Sequence, residues 1–202
     1  MSNYQDKVLE FMLASGQPVH LQRELTKEEL DFRDNLLREE IRELQYAIAD
    51  DNRVEILDAL CDIKYVNDGT ANMLSIEQKD EYYNQTYGLG VPSDIDLLVD
   101  LLAALNCNKV DIINDIVYKL AYLHGFSLDT FKTALIRVHF SNMSKFCTDI
   151  KTAERTQEFY KKQGIDTYIE PREKKFVVYR EGDGKVLKSC DYYPVYLADL
   201  VF

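Results

Sequence analysis

Apolar and polar positions alternate along this chain mostly at helical spacing. Val8, Leu9, Phe11 and Met12 lie on one face of a helix over about residues 5–14, which Gly16-Gln17-Pro18 ends. Thr26 with Glu29 three residues on is a capping-box pattern. It opens a long helix to about Asp50, with an apolar stripe of Leu30, Phe32, Leu36, Leu37, Ile41, Leu44 and Ile48. Asp50-Asp51-Asn52 is a turn. The next helix runs from about Arg53 to Leu74 around Ile56, Leu57, Leu60, Ile63, Tyr65 and Val66. From Glu77 to Asp94 the chain is polar and rich in Tyr, Gly and Pro, and the expectation is a long loop. Further helices are expected from Ser93 to about Leu105, from Lys109 to His124, and from Ser127 to near Lys145.

Beyond Lys145 the pattern changes. A short helix over Thr152–Gln163 is closed by Gly164. Three β-branched and aromatic runs follow, Thr167–Ile169, Lys175–Tyr179 and Val186–Ser189. Glu181-Gly182-Asp183-Gly184, between the last two, has the composition of a hairpin turn. The chain therefore divides, on sequence, into a helical domain over 1–146 and a small α+β tail with a β-hairpin over 147–202.

Composition narrows the function. Of 202 residues 46% are hydrophobic, enough for a real core. The formal net charge of −11 repels nucleic-acid polymers and anionic membranes. A small anionic substrate stays compatible with it, because bound cations invert the local field. Cys61, Cys107, Cys147 and Cys190 are scattered with no C-x-x-C pair, which argues against a zinc site or a disulfide framework and fits a reducing cytoplasm. No apolar run approaches the roughly 20 residues of a membrane span, and no signal-peptide pattern opens the chain.

The second and third helices carry the chemistry. Glu40 and Glu43 are three apart and Glu39 and Glu43 four apart, so both pairs lie along one helix face. Glu55, Asp58 and Asp62 fall at i, i+3 and i+7 on the next helix, and the short turn makes the two helices antiparallel neighbours. Each acidic run alone reads more readily as a solvated charged face. Against that, Asp58 and Asp62 are embedded among Ile56, Leu57, Ala59, Leu60, Cys61, Ile63 and Val66, and acids in so apolar a helix are seldom left without a counter-charge. A hard divalent cation relieves facing carboxylates, and Mg²⁺ asks for oxygen ligands while keeping some of its waters. Two such ions clamp a triphosphate and acidify a bound water.

Glu40-x-x-Glu43 followed after a short turn by Glu55-x-x-Asp58 resembles the signature of the all-α nucleotide pyrophosphohydrolases. That superfamily includes MazG-like proteins, dimeric dUTPases and phosphoribosyl-ATP pyrophosphohydrolases. Asp58-Ala59-Leu60-Cys61-Asp62-Ile63-Lys64-Tyr65-Val66, Gly69-Thr70-Ala71 and Val138–Lys145 are similar to the phage and bacterial, phosphoribosyl-ATP pyrophosphohydrolase-like branch. The resemblance covers about residues 4–145 and part of the tail. It implies a mainly α fold, an antiparallel helical bundle of that type carrying the small C-terminal appendage. It implies a Mg²⁺-dependent enzyme, with Mn²⁺ as the alternative ion, that cleaves a (d)NTP or related nucleotide between the α and β phosphates to a monophosphate and pyrophosphate. A homodimer or dimer of dimers is also implied. Glu40, Glu43, Glu55 and Asp58 match the metal ligands, with Asp62 sharing or replacing the part of Asp58. Glu39 matches an additional acid that, with Glu43, is a candidate base. Lys64, where the family has an apolar residue, and Arg137 and Phe140, where Glu and Arg are expected around His139, depart from the pattern and bear on substrate choice.

Other residues admit two readings. Ser141, Asn142, Ser144 and Lys145 suit phosphate oxygens, or simply end a helix. Asn67 and Lys64 lie close enough to the acidic face to touch substrate. His139 is a base contact or a packed histidine. Gln17 reads a base edge or ends its helix. Tyr82, Tyr83 and Tyr87 stack on a base or pack at an interface. Lys174, Lys175, Arg180, Lys185 and Lys188 form a basic strip that suits protection of an edge strand. Two other functions fit the same pattern. One is a non-catalytic helical module that senses nucleotide or oligomerises; the other is an adaptor whose acidic face meets a basic partner.

Overall fold

The computed structural model describes residues 4–78, 92–173 and 175–201. The described residues form helices α1 (Tyr4–Ala14), α2 (Lys27–Ala49), α3 (Arg53–Leu74), α4 (Asp94–Asn106), α5 (Val110–Leu123), α6 (Leu128–Met143) and α7 (Ile150–Lys161). Strands β1 (Thr167–Arg172) and β2 (Lys175–Arg180) and a 3₁₀ turn over Ala198–Leu200 follow. The fold is mainly helical with a small antiparallel sheet near the C-terminus, as expected. Most of the stretch expected as a long loop, with Tyr82, Tyr83 and Tyr87, lies outside the described residues, as does Lys174 of the basic strip.

The chain forms two compact units. One comprises residues 1–9, 19–138 and 196–202, the other 10–18 and 139–195. In the first unit α2 and α3 pack along their lengths, α3 also packs on α5, and α5 on α4. Leu37, Ile41, Leu44 and Ala47 of α2 are buried, three or four residues apart, so they make one seam. Ile56, Leu57, Leu60 and Ile63 of α3 are also buried. The α2–α3 turn is short because Asp51 takes a left-handed φ of 49° and Asn52 caps α3 by accepting from the Glu55 amide. The C-terminal segment returns to this unit: Arg137 forks onto the Asp199 carboxylate, and Arg53 donates to the carbonyls of His124 and Val201.

The Thr26 capping box forms as its spacing predicts. The Glu29 amide donates to Thr26 Oγ1 at 3.3 Å, and the Thr26 amide to Glu29 Oε2 at 2.8 Å. Arg23 adds a two-pronged contact to the same carboxylate at 2.7 and 2.8 Å. The Arg23 guanidinium first, and the Thr26 amide second, bring the Glu29 carboxyl from its ordinary 4.5 down to about 2. A depressed carboxyl contributes stability above its unfolded value and loses it as pH falls, here between about 4.5 and 2. A carboxyl ¹³C titration should find Glu29 near the bottom of that window in the native chain and near the top in Arg23→Ala. An unchanged midpoint in the variant would show that Arg23 is not the cause.

In the second unit β1 and β2 pair antiparallel with Thr167 opposite Arg180 and Arg172 opposite Lys175. Cys147, Ala153 and Val178 form its buried centre, with Ile169 and Phe176 against them. Residues 10–18 belong here for physical reasons. Phe11 stacks on Phe146 with centroids 5.0 Å apart, Tyr179 donates its hydroxyl to the Ser15 carbonyl, and the Arg172 guanidinium lies over Gly16. Gly16 has a φ of +63°, which strains any L side chain, and a Cβ there would stand 2.2 Å from Arg172 Nη2, so a larger residue would also push the guanidinium aside.

The third expected strand does not form. The Gly182–Gly184 turn exists, with φ of 95° and 68° at its two glycines, but it follows β2 instead of joining two full strands. Residues 186–189 contribute one isolated bridge, Tyr179 with Val186, and one amide bond from Leu187 to the Val178 carbonyl at 2.9 Å. After that the amides go elsewhere. Cys190 donates to Thr156 Oγ1, Asp191 to Ser189 Oγ, and Tyr192 to the Ser189 carbonyl, leaving none of these three for a ladder.

Candidate active site

Helix α3 is buried from Ile56 to Met73 except at Asp58, Asp62, Val66 and Thr70. These four recur every fourth residue, so they form one continuous, partly exposed stripe down an otherwise enclosed helix. Apolar neighbours on both sides put this stripe at the surface, and two aspartates occupy its upper half. Glu55 is exposed in the first turn of the same helix, where a carboxylate is favoured by the helix dipole. On α2, Glu39 and Glu43 are exposed and Glu40 is half-buried beside the Leu37–Ile41–Leu44 seam.

Two fixed points set the register of α2 against α3. At one end is the turn at 50–52. At the other Arg33 donates from Nε to Thr70 Oγ1 at 3.0 Å and from Nη2 to the Val66 carbonyl. An equal rise per residue on antiparallel helices then brings Glu40 level with Asp62 and Glu43 level with Asp58, with Glu55 one turn nearer the loop. The negative field of the aspartates reaches the core. Burial pushes the Cys61 thiol well up, and Asp62 and Asp58 push it further. Burial likewise raises the Tyr4 hydroxyl, with Asp68 and Asp62 among the contributors.

The donor set is all oxygen, with no His or Cys, which is the chemistry Mg²⁺ selects. Among the described residues no three His, Cys, Asp or Glu side chains converge as a metal cluster. The acids instead share neighbouring levels of two packed helices.

Lys64 and Asn67 do not lie on this stripe. The Lys64 ammonium is fully buried, 3.0 Å from Asp68 Oδ2 and 2.8 Å from Asn114 Oδ1, with the rings of Tyr4 and Tyr118 5.8 and 5.4 Å away. Asn67 is buried and donates to the Val110 carbonyl at 2.8 Å. The structure thus spends both on the core: four-residue spacing turns Lys64 to the same inner face as Asp68, away from Asp58 and Asp62. Ser141, Asn142, Ser144 and Lys145 belong to the second unit. Ser141 donates to the Tyr193 carbonyl at 3.0 Å, Ser144 donates to the Ser141 carbonyl at 2.7 Å and accepts from the Tyr193 amide at 3.2 Å, and Asn142 is buried. Here these hydroxyls fasten the returning Tyr192–Tyr193 segment to the end of α6. His139 is buried in the same unit, its Nε2 3.4 Å from Glu10 Oε2.

Arg33 is the residue the sequence pattern conceals. It sits in the apolar stripe of α2, is fully enclosed, and burial brings its guanidinium down to about 10. Its room comes from Gly69, where a Cβ would stand 2.5 Å from Nη2 and 3.2 Å from Cζ. Gly69→Ala should therefore lower stability by about 1–3 kcal/mol through overpacking. Urea unfolding would read this as a lower midpoint at unchanged slope, and an unshifted midpoint would mean that Arg33 relaxes freely.

Residues 10–106, which include every acid of the stripe and of α2, match the family model for phosphoribosyl-ATP pyrophosphohydrolase. The chain is 31% identical to an uncharacterized protein, L479, of Acanthamoeba polyphaga mimivirus, over 93% of this chain and 91% of that protein. No solved structure matches it significantly. The acidic α2–α3 pair, the mainly helical fold and the family match agree: the chain belongs to the MazG-like all-α pyrophosphohydrolase superfamily.

Proposed function

We infer that this protein is a Mg²⁺-dependent nucleotide pyrophosphohydrolase that cleaves a nucleoside triphosphate, or a nucleotide carrying one, between its α and β phosphates. The observation that carries the reading is the stripe of α3, where Asp58 and Asp62 occupy part of the small surface that a buried helix keeps open, level with Glu43 and Glu40 of α2. Like charges at these spacings repel one another, and a bound divalent cation relieves that repulsion.

Glu40, Glu43, Glu55, Asp58 and Asp62 are the residues that would hold Mg²⁺, or Mn²⁺ in its place. When bound, the metal supplies charge neutralisation of the triphosphate and acidification of a water. The chain's own part is positional and basic. In this reading Glu39 and Glu43, exposed four residues apart on α2, orient the attacking water and take its proton. Their exposure leaves both able to exchange that proton with solvent. The products are a nucleoside monophosphate and pyrophosphate. Self-association as a homodimer or dimer of dimers is part of the proposal, and sedimentation of the full chain tests it; a strictly monomeric, active protein would remove that part alone.

The direct test is pyrophosphate release from a panel of ribo- and deoxyribonucleoside triphosphates, with Mg²⁺ and with EDTA. The expected result is equimolar monophosphate and pyrophosphate with Mg²⁺ and neither with EDTA. A folded protein that releases no pyrophosphate from any nucleotide of the panel would overturn the enzymatic reading.

A further inference from the structure

The second unit contains two free cysteines that converge on one hydroxyl. Cys147, buried between α6 and α7 in the chain, has its sulfur 3.7 Å from Thr156 Oγ1 on α7. Cys190, exposed at the start of a turn, donates its amide to the same Oγ1 at 3.0 Å. A single oxygen therefore spans the two residues, 43 positions apart in the chain. The backbone on each side is anchored. Cys147 exchanges both amide bonds with Phe176 at 2.8 and 2.9 Å, and Leu187 bonds Val178 at 2.9 Å. The turn beginning at Cys190 is held instead by side-chain hydroxyls, the amides of Cys190, Asp191 and Tyr193 donating to Thr156, Ser189 and Ser144.

We propose that Cys147 and Cys190 form a reversible dithiol–disulfide pair, a modification site that takes a peroxide as oxidant. The order of events follows from exposure. Cys190 meets solvent and reacts first, whereas burial keeps the Cys147 thiol protonated above its ordinary range until it is engaged. The Cys190 thiolate attacks one peroxide oxygen; the O–O bond breaks, a sulfenic acid forms, and the departing hydroxide takes up the proton the Cys190 thiol had released and leaves as one water. The Cys147 sulfur then attacks the Cys190 sulfur. The S–S bond forms, the S–O bond breaks, and hydroxide departs with the Cys147 proton as a second water. Two thiols are oxidised by two electrons and one peroxide is reduced to two waters. A disulfide requires Cα atoms about 4.4–6.8 Å apart. Closing to that distance draws the Cys190 turn onto α7 and breaks the contacts that Thr156 Oγ1 makes with the Cys147 sulfur and the Cys190 amide.

This movement has a place to register. A cavity of about 380 Å³ in the same unit is lined by Phe146 and Thr148, on either side of Cys147, and by Asp191 and Tyr193, directly after Cys190. His139 and Glu10 form another part of its wall. Oxidation therefore pulls two of its sides together and reduction releases them. Cys61 and Cys107 have no part in this, since Cys61 is buried in the first unit and Cys107 follows α4 there.

The experiment exposes the full-length folded protein to hydrogen peroxide at a small molar excess, blocks remaining thiols, and maps peptides without reductant. The expected product is one intramolecular peptide pair, Cys147 with Cys190, removed by dithiothreitol, with Cys61 and Cys107 still alkylated. Cys190→Ser, a surface change that leaves the core intact, should abolish the pair and leave Cys147 reduced. Thr156→Ser, which keeps the hydroxyl, should leave it formed. Sulfinic acid on Cys190 without cross-linking, an intermolecular disulfide, or a pair that forms only after denaturation would each overturn the proposal.

Discussion

Glu43→Gln is expected to lower kcat/KM for pyrophosphate release by about 10²–10⁴-fold, the range for loss of a general base. The fold should not notice. Glu43 is exposed, and surface changes of this kind shift stability by no more than about 0.5 kcal/mol. The amide keeps the size and polarity of the carboxylate while removing its charge and basicity, and it relieves like-charge repulsion with Glu39 on the same face. If Glu43 also ligates metal, the rise in thermal midpoint that Mg²⁺ produces should shrink in the variant, because binding to the native state alone stabilises it. Glu39→Gln separates the roles. A large fall in rate with the Mg²⁺ shift intact would assign Glu39 to the water and Glu43 to the metal. Full activity in both variants would remove α2 from the chemistry.

Lys64→Met is expected to destabilise the protein by about 3–5 kcal/mol, with activity unaffected in whatever fraction stays folded. The ammonium is fully enclosed, with Asp68 at 3.0 Å and Asn114 at 2.8 Å, and Asp68 is fully enclosed too. Removing the cation leaves a buried carboxylate without its ion-pair partner. For a chain of this size, the loss corresponds to a thermal midpoint lower by on the order of 10 °C. The effect carries a pH signature. Burial without the ammonium favours the neutral carboxyl, so the folded Asp68 of the variant takes a raised value. Its penalty is then absent below the unfolded value and grows as pH rises from about 4. Acidification from 7 toward 4 should therefore narrow the gap to the native protein. Lys64→Met with Asp68→Asn should recover much of the loss, which a double-mutant cycle would measure. Equal additive losses would mean that the two side chains are not coupled.

The helices and the acid pairs were legible along the chain because both depend on short-range spacing. Capping signals at Thr26, Asn52 and Ser93, apolar stripes of period 3.6 and the Asp50–Asn52 turn determine where α2, α3 and α4 begin. They also determine that Glu40, Glu43, Glu55, Asp58 and Asp62 fall on two helices packed side by side, since a short turn leaves two long helices little choice but antiparallel contact. The start of α7 two residues earlier than expected has the same kind of cause: Asp149 accepts from the Thr152 amide and caps the helix.

Tertiary structure decided which polar residues work and which merely support. Lys64 and Asp62 are two residues apart and equally polar, yet packing against α2 and α5 closes one completely and leaves the other partly open. Periodicity distinguishes faces of a helix; it does not say how many of those faces neighbours will cover. The same limit hid Arg33 in an apolar stripe and made Ser141 and Ser144 resemble a phosphate cradle when Tyr193 claims them. It also promised a strand at 186–189, which gives only a bridge and one ladder bond before the amides of residues 190–192 turn to Thr156 and Ser189. What the order of residues determines by itself is therefore the set of helices and the antiparallel pairing of the two that carry the acids, because those rest on contacts within a few turns. Burial of Lys64, the company of Arg33 and Gly69, and the meeting of Cys147 with Cys190 rest on segments far apart in the chain. Only the packed fold brings those segments together.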